Sequence, residues 1–107
     1  MRATKPTERE RAQLLRKEAG HWLRQLREKR GLSQRELANK VGAEIYTLIA
    51  QLEQGRGRIP PDRYRVWADA LQIEPRVFFR RLNDYYDPSE APPFEGGPIT
   101  NLPNSIG

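Results

Sequence analysis

GLSQRELANKVGAEIYTLIAQLEQGRGR, Gly31–Arg58, is punctuated by glycines into two short segments with helical character. In the first, Ser33 stands three residues before Glu36, the spacing with which a serine side chain and a glutamate reciprocally satisfy the orphan amides of a helix start. Leu37, Ala38 and Val41 then recur on one face while Gln34, Arg35, Asn39 and Lys40 take the other, which predicts a helix from about Gln34 to Val41 that stops at Gly42. In the second, Ile45, Leu48, Ile49 and Leu52 fall at i, i+3, i+4 and i+7, the buried face of a helix over about 45–54 ending at Gly55. Its opposite face carries Tyr46, Thr47, Ala50, Gln51 and Gln54.

Two short helices joined by a tight glycine turn form the helix-turn-helix unit, whose second helix can enter a DNA major groove about 12 Å wide. The flanking sequence is helical too. Thr7 is a candidate cap, and Ala12, Leu15, Ala19, Trp22, Leu23 and Leu26 make one apolar stripe from there to about Lys29, interrupted at Gly20 by a kink or a close helix contact. A fourth helix is expected from about Pro61 to Leu71 with Tyr64, Trp67, Ala68 and Leu71 inward. A fifth, from about Pro75 to Tyr86, sets Phe78, Leu82 and Tyr85 in line with Phe79 and Tyr86 beside them.

The expected fold is therefore all-α, with five helices and an extended first helix. Residues 1–19 form a helical extension, residues 20–87 the helix-turn-helix domain, and 88–107, dense in proline and glycine, a flexible, disordered tail. With 107 residues, 36% of them hydrophobic and 31% charged, the chain has room for one small core under a charged surface. The tail holds two of the 14 acidic residues and none of the 19 basic ones, so the net +5 of the chain becomes +7 for the body, favouring a polyanionic partner.

The same residues resemble the Xre/Cro-like, or lambda-repressor-like, helix-turn-helix family of phage repressors and bacterial regulators. The match lies in Leu23, Leu26 and Arg27, then GLSQRELANKVG, then Ile49, Leu52, Glu53 and Gly55. One departure is an extra residue between Gly42 and Glu53, which lengthens the turn. Aligned backwards from Glu53, the resemblance implies that Tyr46, Thr47, Ala50 and Gln51 face the bases. Gln51 can pair bidentately with adenine, Thr47 can donate or accept, Tyr46 can contact a thymine methyl or a phosphate, and Ala50 lets the helix approach. Gln34, Arg35, Arg56 and Arg58 are the implied phosphate contacts, although each is also an ordinary solvated surface residue. A basic arm of Arg2, Lys5, Arg9 and Arg11 is a weaker alternative to a solvated helix start.

The resemblance implies a sequence-specific regulator of transcription that binds double-stranded DNA, commonly as a homodimer. Phe79, Tyr85 and Tyr86 are candidates for the symmetric contact, or for packing against the first helix. The rival expectation is an antitoxin-like or adaptor protein whose tail grips a protein partner through Phe94, Ile99 and Leu102. Catalysis is not expected: there is no cysteine, His21 is the sole histidine, no serine has a relay, and GRGR lacks the lysine and serine of a nucleotide-binding loop. No metal or cofactor is expected. Without a membrane-length apolar run or a secretion signal, the protein is expected in the bacterial cytoplasm, at the nucleoid.

Overall fold

The computed structural model describes residues 7–43 and 46–88. They form helices α1 (Glu8–Lys29), α2 (Gln34–Val41), α3 (Thr47–Glu53), α4 (Tyr64–Leu71) and α5 (Pro75–Tyr86), with a 3-10 turn, Pro61–Arg63, before α4. α1 packs on both α3 and α5, α2 on α3 and α4, and α4 on α5. No strand occurs among the described residues, so the all-α expectation holds.

Both helix starts read from the sequence close as reciprocal caps. The Thr7 hydroxyl accepts from the Glu10 amide at 3.0 Å while the Thr7 amide donates to the Glu10 carboxylate at 2.9 Å. Ser33 and Glu36 repeat the arrangement at 3.0 and 2.8 Å. Gly42 ends α2 with φ of +75°, a conformation that β-carbon sterics disfavour for other residues, and so sets the sharp turn toward α3. The residues expected around position 45, Ile45 among them, lie outside the described ones, as do Arg2 and Lys5 of the basic arm and the tail from Ser89 onward.

The core gathers Leu23 from α1, Leu37 from α2, Ile49 from α3, Tyr64 and Leu71 from α4, and Phe78 and Leu82 from α5, with Ile59 from the α3–α4 loop. Trp22 stacks on Phe78 with ring centroids 5.6 Å apart, and Tyr64 meets Phe78 edge-on at 6.1 Å. α1 runs without a break through position 20, and no kink is required. Gly20 serves the other purpose: a β-carbon there would lie 2.6 Å from the Leu52 carbonyl oxygen and closer still to that of Glu53. The axis of α1 thus presses directly on the end of α3.

Three expectations are corrected. Leu48 is not buried but 43% exposed: α3 has only two turns, its inward stripe is filled by Ile49 and Leu52, and Leu48 falls about 100° to one side. The first turn of the fourth helix is 3-10, with α-helix beginning at Tyr64. At the end of α5 the roles of two tyrosines are exchanged. Tyr86 is buried, its hydroxyl accepting from the Ile59 amide at 3.3 Å, so it is unavailable as a dimer contact. Tyr85 is half-buried beside Trp22, at 6.0 Å between centroids.

Gly20→Ala should lower stability by about 1 to 3 kcal/mol, because the overpacking of two backbones exceeds the ~1 kcal/mol that alanine gains in helix propensity. The shift of the urea midpoint measures it. Burial pushes the Tyr86 phenol from its ordinary 10.0 up to about 12. The fold therefore retains a proton that the unfolded chain releases near pH 10, so stability is intact below that pH and declines between about 10 and about 12. Burial raises the Tyr64 phenol in the same direction. Melting temperatures across this range should fall less steeply for Tyr86→Phe than for the native chain.

Candidate nucleic-acid interface

The outer side of the molecule around α2 and α3 is held from beneath by a buried ion pair. Arg27 on α1 meets Glu53 at the end of α3 through two contacts, Nε to Oε2 at 2.6 Å and Nη2 to Oε1 at 3.1 Å. The remaining nitrogen, Nη1, donates to the Leu32 carbonyl at 2.7 Å, and Gln34 Nε2 donates to Glu53 Oε1 at 3.0 Å. The Arg27 and Glu53 side chains are only 10% and 5% exposed, so each charge depends on the other for its solvation. Four segments, α1, the turn after it, the start of α2 and the end of α3, converge on these groups.

Above this network α3 shows water a short polar face. Thr47 and Gln51 are exposed and Ala50 is half-buried between them. Tyr46, 41% exposed, enters the helix with the guanidinium of Arg35 stacked 4.2 Å from its ring centroid. Two residues assigned separately in the sequence, one to bases and one to phosphate, thus form one cation-aromatic contact across the turn. At the far end of α3, Arg56 is exposed, and its amide donates to the Gln51 carbonyl at 2.9 Å, closing the helix.

The other two expected phosphate ligands are engaged internally. Gln34 supports Glu53, as described. Arg58 forms a bidentate pair with Asp87, Nη1 to Oδ1 at 3.2 Å and Nη2 to Oδ2 at 2.5 Å, and lies 4.8 Å from the Tyr86 ring centroid. Its hydrogen bond holds the Asp87 carboxyl below the usual carboxylate range. Arg58 thereby fastens the α3–α4 loop to the end of α5. Sequence reasoning missed Arg63, whose Nη2 donates to the Val41 carbonyl and covers the end of α2. No local pattern announces this, because the two residues are 22 positions apart.

Phe79, at the outer edge of α5, is 40% exposed while its ring meets Tyr64 edge-on at 5.0 Å. Among the described residues no helix is long and apolar enough to cross a membrane, and no cluster of three or more potential ligand side chains is placed to hold a metal ion.

A family model described as helix-turn-helix matches residues 23–78, from the core leucine of α1 to the core phenylalanine of α5. The chain belongs to that family. It is an Xre/lambda-repressor-like helix-turn-helix protein, of a class of DNA-binding transcriptional regulators that is not typically enzymatic, and its partner is double-stranded DNA. No curated protein matches the chain.

Glu53→Gln should destabilise this helix-turn-helix domain by about 3 kcal/mol, because Arg27 is left as a buried charge without its counterion. The solvent-exposed pair Arg24 and Glu28, 2.9 Å apart, is the contrast: Arg24→Ala should leave the urea midpoint nearly unchanged.

Proposed function

We propose that this helix-turn-helix protein is a sequence-specific regulator that reads the major groove with α3, using Tyr46, Thr47, Ala50 and Gln51 on the bases. The observation that carries this reading is the two-sided character of α3: Ile49 and Leu52 are buried, whereas Thr47 and Gln51 stand in water on the opposite side. Glutamine offers the paired donor and acceptor that match an adenine edge, and the half-buried Ala50 leaves room for close approach.

Arg35 and Arg56, exposed at the two ends of the motif, contact phosphates on either side of the groove. Neither forms an ion pair with a described carboxylate. Gln34 and Arg58 act as positioning residues through Glu53 and Asp87. Such a division gives Arg35 and Arg56 affinity and salt sensitivity, and leaves sequence choice to α3.

A single motif spans only a few base pairs, so the protein acts as a homodimer on two half-sites about one DNA turn apart. Exposed Phe79 and half-buried Tyr85 on α5 are the accessible aromatics for that contact. The rival expectation of a tail-held protein partner depends on Phe94, Ile99 and Leu102, which lie outside the described residues, and no observed feature favours it.

Selection from a randomised duplex pool tests the reading. An enriched palindrome is the expected outcome, and salt-sensitive binding without enrichment would refute sequence reading. Gln51→Ala should weaken the selected site by about tenfold or more while sparing random DNA, the worth of one bidentate base contact. Arg56→Ala should weaken both alike and reduce the salt slope by about one. Equal losses from the two variants would abolish the proposed division of roles.

A further inference from the structure

Glu53 and its partners fasten the end of α3, whereas among the described residues no side chain caps its start at Tyr46. The chain enters that start from the end of α2. There Gly42 takes φ of +75°, and the amides of Gly42 and Ala43 donate back to the Asn39 and Ala38 carbonyls. Val41 is the last residue of α2, and its carbonyl is one of the acceptors that a helix end cannot satisfy from within.

Arg63 reaches this carbonyl from the other side of the motif. Its Nη2 donates to Val41 across 22 positions, and the same nitrogen lies 3.5 Å from the place a β-carbon on Gly42 would occupy. The base of the side chain is held as well, since the Arg63 amide donates to the Pro60 carbonyl at 2.9 Å in the 3-10 turn before α4. Arg63 borders a recess with Val41, Gly42, Pro60 and Trp67, so its contact joins the end of α2 to the start of α4. A cation is also favoured at the negative end of the α2 dipole.

Holding a segment in the arrangement that a complex needs removes an ordering cost from binding. Base reading requires the first turn of α3, where Tyr46 and Thr47 stand, to be aligned with the groove. Attachment to phosphates carries no sequence information and requires less of that alignment.

We propose that Arg63 is a positioning residue for sequence reading: by clasping the end of α2 it presets the entry into α3, and it favours the preferred site without itself contacting DNA. This rests on the reading of α3 as the groove helix. Arg63 thereby differs from Arg35 and Arg56, whose guanidinium groups serve the phosphates.

Arg63→Met keeps an unbranched apolar stem and removes the donor and the charge. Its affinity for the duplex selected by the native chain should fall about fivefold, the worth of one hydrogen bond, with random-DNA affinity and the salt slope nearly unchanged. In the free protein, hydrogen exchange at the Gly42 and Ala43 amides should quicken by about the same factor, while amides in the middle of α1 and α5 keep their rates.

Equal losses on selected and random duplexes with a reduced salt slope make Arg63 a phosphate ligand and overturn the assignment. Native affinity of the variant for the selected duplex also overturns it, whatever the melting temperature does, because Arg63 is then only a helix cap. Either result leaves α3 as the reading helix. A pool from which the native chain enriches no sequence overturns that reading and this assignment together.

Discussion

Removing the Arg27 guanidinium and the Glu53 carboxylate from water is unfavourable for either ion alone, and is offset only if both arrive together with their remaining donors and acceptors engaged. Here the engagement is specific. Arg27 uses two nitrogens on the carboxylate and a third on the Leu32 carbonyl, and Gln34 supplies another donor to Glu53. An apolar pair could fill the same space, but it would not impose an angle. The fork geometry of the guanidinium does, and it defines how α3 lies against α1 and the start of α2. The contact of Gly20 with the Leu52 and Glu53 carbonyls brings the helices close enough for those bonds to form.

The local features of this fold were legible because they arise from neighbours in sequence. Caps at Thr7 and Ser33, the left-handed Gly42 and the apolar stripes of α1, α2 and α4 all follow from spacings of eight residues or fewer. The stripe rule failed at Leu48 because two turns of helix enclosed by two neighbours bury less than a period implies. It also misassigned Tyr85 and Tyr86: Tyr86 continues the i, i+4 run of the buried Phe78 and Leu82 and meets the distant amide of Ile59, whereas Tyr85 falls to one side beside Trp22. The resemblance pointed to Arg27 and Glu53 without giving their role, since periodicity says nothing about a bond spanning 26 positions.

The same distinction applies to the phosphate contacts expected of the motif. Sequence places Gln34, Arg35, Arg56 and Arg58 near the two ends of the unit, but only tertiary structure shows which of them already have partners. Arg58 is held by Asp87 against Tyr86, and Gln34 is held by Glu53. Arg35 remains in water over Tyr46, and Arg56 remains in water beyond α3. The count of 19 basic residues thus overstates the cations free to meet a polyanion, because Arg58 is already paired with Asp87 and secures the loop against α5.

The separation of the two faces of α3 also bears on how such a protein can change. Among the described residues, the side-chain hydrogen bonds that anchor the helix are made by Arg27, Gln34 and Glu53, and its core contribution comes from Ile49 and Leu52. Positions 47, 51 and 54 take no part in either, and exchanges at exposed sites of that kind usually alter stability by about 0.5 kcal/mol or less. The scaffold can therefore carry many different outward faces in an unchanged orientation. On the proposed reading of α3 as the groove helix, binding preference is free to drift, or to be redesigned, with little consequence for whether the chain folds.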